Sequence, residues 1–288
     1  MDYKIMTPKQ VSGAIRNMRL ILNDYVVDHG LKSLVIGVSG GADSALECAL
    51  AEPVCESLGI PLIGRSLPSA SNKPDEVERA KLVGAAFCDE FAEESIEDDF
   101  KCLDASIMKG WAMPSEAWAE YSEHRDRVRR GNIKARVRMI RLRDLAYRRQ
   151  GIVLGTDNLT EYLLGFWTLD GDVGDLGLIQ NMWKTEVYLA MSVLRGGDLL
   201  PDQQRALQAC EEANPTDGLG VSNSDLDQLG AKSYGAVDQT LLDWLRAKEK
   251  NLWGKMEELR GNPVVQRHER SHFKRNNPCN VTREDLLA

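Results

Sequence analysis

Six consecutive residues, Ser39-Gly40-Gly41-Ala42-Asp43-Ser44, have the side chains and the spacing for phosphate chemistry. Two glycines let the chain turn tightly with no Cβ in the path of an anion. Serine hydroxyls bracket them as donors. A helix that starts at such a turn aims backbone N–H groups and the positive end of its dipole at a phosphate. Asp43 works against this, because a carboxylate repels a phosphate. A Mg²⁺ ion between the two removes the conflict, and hard oxygen ligands suit Mg²⁺. No Lys-Ser/Thr pair follows the glycines, so the turn is not a Walker A loop. The plain alternative is an ordinary glycine turn ahead of a helix.

A second carboxylate answers the need that Asp43 creates. Gly155-Thr156-Asp157-Asn158-Leu159-Thr160-Glu161 follows the apolar run Gly151-Ile152-Val153-Leu154. Thr156 and Asp157 then stand at the carboxyl end of a strand. Glu161 lies one helical turn beyond Asp157, on the same side. Apart from the glycine turn, this would be only a capped helix with a surface acid.

These residues need elements to position them. Leu34 to Val38 reads as a strand buried on both faces, followed by a helix from Ala45 to Leu58 that Pro53 should kink or divide near Glu52. A second strand runs from Ile60 to Leu67. The strand–helix–strand unit implies a parallel pair with a right-handed crossover. Ligands of such sheets sit beyond the carboxyl ends of the strands, which brings Arg65 to the site. Helical spacing also marks Pro8–Gly30, with Val11, Ile15, Met18 and Leu22 on one side. Further expected elements are a helix from about Asn72 to Phe87, a strand from Glu90 to Ile96 and a helix from Glu97 to Met108. Helices from Asn132 to Arg149 and from Leu241 to Arg260 follow, the latter with Trp253 on its apolar side. With no repeat or linker, residues 1–288 read as a single α/β domain, a parallel sheet with helices on both faces.

Composition narrows the class. The chain has 288 residues, 43% hydrophobic and 28% charged, as a globular protein should. No apolar run approaches the ~20 residues of a membrane span, and Met1-Asp2-Tyr3-Lys4 does not open a signal peptide. A cytoplasmic protein is expected. Its six cysteines form no C-x-x-C pair or zinc-type cluster. The net charge of −8 is uneven: residues 125–149 hold eleven Lys/Arg and two Asp/Glu, a net +9, which leaves −17 for the remainder. A basic segment without interleaved aromatics suits a small polyanion such as a nucleotide better than a nucleic acid. Trp111, Trp118 and Tyr121 lie in an irregular stretch, as stacking platforms or core anchors.

The residues at 39–44 resemble the SGGxDS loop of the ATP pyrophosphatases, whose fold is Rossmann-like (adenine nucleotide alpha hydrolase-like). Later stretches resemble the NAD synthetases of that superfamily, in the family's order from Leu34 to Pro278. Arg130-Gly131-Asn132 through Met139 resembles R-G-N-x-x-A-R-x-R-M. Gly155 to Glu161 resembles G-T-D-[HN]-x-x-E. Gly165-Phe166-Trp167-Thr168-Leu169-Asp170-Gly171-Asp172-Val173-Gly174-Asp175 resembles G-[FY]-x-T-K-Y-G-D-G-x-x-D, but Leu169 replaces a lysine and Asp170 an aromatic. Lys184 falls in an L-x-K-x-x-V-like stretch, Thr216 in a P-T-A-D-L-like loop, and Phe273-Lys274 in a terminal F-K-R-x-x-P-like motif.

The resemblance implies ATP binding by Gly37, Val38, Ser39, Gly40, Gly41, Ala42, Asp43, Ser44, Arg65, Thr156, Lys184 and Thr216. It implies contact of the dinucleotide with Arg130, Asp172, Asp175, Phe273 and Lys274. Asp43 and Glu161 would hold Mg²⁺, and these two with Lys184 would act in catalysis. For Leu169, a neighbour such as Lys184 or Arg195 would have to supply the missing charge. The implied reaction converts deamido-NAD to NAD through an adenylated carboxylate, with ATP as co-substrate and ammonia as nitrogen donor, in a homodimer. Only 38 residues precede Ser39, too few for a fused glutaminase, which leaves a separate glutaminase partner open. Two competing readings are an amide ligase for another carboxylate, favoured by Leu169 and Asp170, and a non-catalytic nucleotide- or RNA-binding protein, favoured by the basic segment.

Overall fold

The structure is a computed structural model, and it describes residues 4–109, 123–214 and 225–287. Four strands, β1 (Ser33–Gly37), β2 (Leu62–Ser66), β3 (Glu90–Glu93) and β4 (Gly151–Leu154), form one parallel sheet in the order β3-β2-β1-β4. Leu34 of β1 is in register with Leu62 on one side and Ile152 on the other. Helices α2 (Ala42–Leu58) and α3 (Pro74–Phe87) carry the chain outward from β1 to β3. After α4 (Glu97–Lys109) and α5 (Glu123–Arg148) it returns to place β4 on the opposite side of β1. The winding direction reverses between β1 and β4, and a crevice opens beyond their carboxyl ends.

Period-two alternation sends successive strand residues to opposite faces. Leu34, Ile36 and Leu62 meet α1 (Pro8–Asp28), α2, α3, α7 (Lys184–Arg195) and α8 (Pro201–Glu211). Val35, Ile63 and Val153 meet Phe100 of α4 and Ile133, Val137 and Leu142 of α5. Leu34, Ile36 and Ile63 are wholly buried, worth about 2 kcal/mol each. A third apolar cluster contains no strand residue. It joins Leu163 and Leu164 of α6 (Leu159–Leu164), Leu229 of α9 (Asp225–Leu229), Leu241 of α10 (Tyr234–Glu249) and Val264 of α12 (Pro263–Arg270). The remaining helices are α11 (Trp253–Arg260) and α13 (His272–Arg275). No helix among the described residues is long and apolar enough to cross a membrane.

The structure departs from the expected elements where polar contacts decide the outcome. Helix α2 runs unbroken past Pro53. The carbonyl that Pro53 cannot satisfy, that of Ala49, accepts a bond from Arg19 Nη2 at 3.0 Å. Helix α5 starts nine residues before Asn132. Its first turns are held by the pairs Arg127–Glu123 and Arg129–Asp126, not by an apolar stripe. The stretch expected as one helix from Leu241 to Arg260 is α10 and α11, parted at Asn251, whose φ is +52°. Asparagine tolerates that left-handed turn, and Trp253 beyond it is 71% exposed, not part of an apolar side. Strand β3 ends at Glu93, three residues short of Ile96.

Candidate active site

The glycine turn is built as its residues require. Strand β1 stops at Gly37 and α2 begins at Ala42, with Gly41 as its N-cap. Glycine brings no side chain to that cap, so the first N–H groups of α2 face the crevice without a side-chain acceptor. Gly40 has φ +79°, and a Cβ there would lie 2.2 Å from the Glu76 carbonyl oxygen. Only glycine fits. Ser39 Oγ lies 3.1 Å from Ser44 Oγ and accepts from Gly41 N–H at 3.2 Å, while Arg79 Nε donates to Gly40 O at 3.0 Å. These bonds within the chain hold the loop in its shape.

Three charged side chains from three helices meet beside this loop. Lys184 Nζ donates to Asp43 Oδ2, and to Glu161 Oε1 at 3.1 Å. Asp43 is in the first turn of α2, Glu161 in α6, and Lys184 is the first residue of α7. Asn158 ties the two acids together. Its Nδ2 donates to Asp43 Oδ1 at 2.8 Å, and its Oδ1 caps α6 by accepting from Glu161 N–H at 3.0 Å. Sequence reasoning passed over Asn158, because a residue of its type at a helix N-cap looks like routine capping.

The electrostatics follow from burial and proximity. Burial alone would lower the Lys184 pKa, but Asp43 and then Glu161 override it and hold the ammonium well above the ordinary lysine value. Asp157, in the same crevice, is pushed well above the usual carboxylate range by burial and then by Asp172, Glu161 and Asp43. Asp172 is raised by burial as well, against a bond of 2.7 Å from Thr168 N–H. Behind the loop, burial lifts Glu47 of α2 to about 8. Its Oε1 accepts from Leu178 N–H at 3.1 Å and Ile179 N–H at 3.3 Å, just ahead of α7.

A cavity of about 440 Å³ joins these groups. Residues 37–44, Arg65, Thr156, Glu161, Asp172, Lys184 and Lys274 all line it. Three residues expected at the substrate stand apart from its lining. Arg130 pairs with Asp104 at 2.8 Å and lies over the Phe100 ring. Asp175 pairs with Arg143 and accepts from Val153 N–H at 2.9 Å, which fastens it to the sheet. Phe273 is 62% exposed. Thr216 lies outside the described residues, as do Trp111, Trp118 and Tyr121. Of the neighbours expected to replace the charge missing at Leu169, Lys184 is engaged by Asp43 and Arg195 by Glu211. Lys274 is the lysine beside the Gly165–Asp172 loop. It donates to Gly165 O at 2.7 Å and to Trp167 O.

Basic side chains hold that loop and the end of α6 by the main chain. Besides Lys274, Arg275 Nη1 donates to Leu163 O at 2.6 Å, Arg267 Nε to Leu164 O at 3.1 Å, and Arg136 Nη2 to Leu169 O at 2.9 Å. Arg267 also stacks over the Phe166 ring, 3.7 Å from its centroid.

Asp43 and Glu161 are the pair of carboxylates that could hold a divalent ion. Among the described residues no group of three or more His, Cys, Asp or Glu is arranged to hold a metal alone. An ion here needs further oxygens, and phosphates supply them for Mg²⁺.

The chain is similar in sequence and fold to known proteins. The family model described as NAD synthase matches residues 14–278. The NH(3)-dependent NAD(+) synthetase of Methanosarcina acetivorans is 34% identical over 257 residues, 86% of this chain and 90% of that protein. A solved structure of NMN synthetase from Francisella tularensis superposes with a TM-score of 0.71 at 26% identity, covering 96% of this chain and 98% of that one. The NH3-dependent NAD synthetase of Campylobacter jejuni shares the fold, with a TM-score of 0.65 at 21% identity, covering 96% of this chain and 100% of that one.

Proposed function

The chain belongs to the NAD synthase family, and from that membership we infer ATP-dependent amidation of deamido-NAD by ammonia, giving NAD, AMP and pyrophosphate. The observation that carries this reading is the meeting of Asp43, Glu161 and Lys184 at the open end of the glycine turn. The nicotinate carboxylate attacks the α-phosphate of ATP, and pyrophosphate leaves. Ammonia then attacks the acyl adenylate, AMP departs, and a proton is released to solvent or to a nearby carboxylate. No covalent nucleophile is needed, so the protein positions reactants and offsets charge.

The individual roles are proposals. Residues 37–44 cradle the phosphates of ATP, Thr156 and Arg65 lie at the strand ends beside them, and Thr216 is assigned to ATP by its motif. Asp43 and Glu161 hold Mg²⁺, which when bound offsets the charge on the phosphates. Lys184 takes up charge on the departing pyrophosphate. Asp172 and Lys274 face the acid substrate. Ammonia comes from solution or from a separate glutaminase. The outer face of α5, with Ile140 64% and Tyr147 87% exposed, is proposed as a homodimer surface.

A second reading concerns the size of the acid. The Francisella neighbour is named an NMN synthetase, and nicotinate mononucleotide carries the same carboxylate as deamido-NAD. Leu169 offers no charge to a larger substrate, and Arg130 and Asp175 are engaged within the chain. One assay tests both readings. The protein is given ATP, Mg²⁺ and ammonium with either deamido-NAD or nicotinate mononucleotide, and AMP and the amide are followed. NAD formation at the higher kcat/KM is expected. Preference for the mononucleotide selects the second reading, and no AMP with either acid removes both.

A further inference from the structure

The cation between Asp43 and Glu161 in this structure belongs to the protein itself. Lys184 Nζ bonds to both carboxylates, and its side chain is 5% exposed. Asn158 holds the remaining oxygen of Asp43 through Nδ2 at 2.8 Å. The acids are thus converged and charge-compensated by the chain's own side chains. Metal–oxygen contacts of Mg²⁺ are about 2.1 Å, so an ion bridging these carboxylates would overlap the ammonium or face it at close range, with strong repulsion. The ammonium therefore competes with a divalent ion for the same pair of carboxylates.

We propose that Lys184 is a resident counter-ion that keeps Asp43 and Glu161 converged, excludes free divalent metal from them, and yields its place when a nucleotide's phosphates accept the ammonium. This rests on the assignment of Asp43 and Glu161 to the metal. Metal then enters with the nucleotide and not ahead of it, and ATP and metal favour each other's binding by the same factor. The Tyr234 ring lies 5.4 Å from Nζ and offers the ammonium a contact besides the two carboxylates.

The test uses Mn²⁺ as the probe, with no nucleotide and no acid substrate, and follows the unbound ion by electron paramagnetic resonance. Lys184→Gln is expected to bind Mn²⁺ at least tenfold more tightly than the wild-type chain. Adding Asp43→Asn to that variant should remove the gain. Lys274→Gln takes a positive charge from the same cavity and should show no such gain. Equal affinity in wild type and Lys184→Gln overturns the proposal, as does an equal gain in Lys274→Gln, which would be a general charge effect. If Lys184→Gln does not fold, the wild-type chain labelled with ¹⁵N-lysine decides. Mn²⁺ alone should leave the Lys184 ammonium signal sharp, and Mn²⁺ with α,β-methylene-ATP should broaden it. Broadening by Mn²⁺ alone overturns the proposal. Neither measurement needs turnover, so its failure is separable from failure of the amidation assay.

Discussion

Asp43 and Asn158 show how differently two neighbours in one site declare themselves. Asp43 was legible because a carboxylate is out of place in a phosphate turn. Asn158 was not, because its second bond, to Asp43 Oδ1 across 115 residues of chain, exists only after folding. Arg130 and Asp175 illustrate the converse. Their motif positions suggested ligand contacts, yet Asp104 and Arg143 engage them, and such partners have no spacing in sequence. Two substitutions separate these roles. Asp43→Asn should leave circular dichroism unchanged and cut AMP formation by more than about tenfold. Near-normal pyrophosphate release from that variant would end its catalytic assignment. Asn158→Ala removes both a cap and a brace. The cap is worth about 1 kcal/mol, a Tm loss of roughly 3 °C for a chain of this size. A fall in AMP formation well beyond what that small loss explains would identify the brace, and a change in Tm alone would reduce Asn158 to a cap.

At the level of elements, the site depends on how α6 and α7 are locked. Asp238 of α10 is wholly buried, and it accepts from Thr160 Oγ1 at 2.6 Å, Thr185 N–H at 3.0 Å and Thr185 Oγ1 at 2.8 Å. Thr160 Oγ1 in turn accepts from Lys184 N–H at 2.9 Å. One buried carboxylate therefore fixes the neighbours of both Glu161 and Lys184. Asp238→Ala leaves several buried donors unpaired, a loss of about 3 kcal/mol and roughly 10 °C in Tm. Asp238→Asn keeps one acceptor oxygen and should recover part of the Tm and of the kcat. Equal damage from both substitutions would contradict this account. The strands and most helices could be read from periodicity, since alternation and 3.6-residue spacing are local. The first turns of α5 and the passage of α2 across Pro53 could not, because ion pairs and the guanidinium of Arg19 decide them.

For the whole molecule, buried acids set the dependence of stability on pH. Burial lifts Glu47 out of the usual carboxylate range to about 8 in the folded chain. Between that range and the raised value the folded chain holds a proton that the unfolded chain has released, so stability falls as pH rises. The slope reaches at most about 1.4 kcal/mol per pH unit for each such proton, and the Glu47 contribution levels off above pH 8. Asp157, Asp172, Glu186 and Asp238 are raised too and act in the same direction. The lowered carboxylates Asp75, which is exposed, and Glu90 and Glu97, which are half-buried, act oppositely, at more acidic pH. Thermal melts should therefore show Tm falling from pH 5.5 to 8. Glu47→Gln, which keeps an acceptor for Leu178 and Ile179, should flatten that decline. A wild-type Tm that climbs over the interval would refute the assignment.

The four basic residues that grip the end of α6 and the loop after it, from Leu163 to Leu169, all take hold of carbonyl oxygens. A carbonyl is the same whatever residue bears it, so the bracket is indifferent to the side chain at Leu169, whereas Phe166 and Trp167 also lie under Arg267 and Lys274. Leu169 can then be exchanged in a laboratory library with the mounting intact, while changes at Phe166 or Trp167 would also disturb the grip.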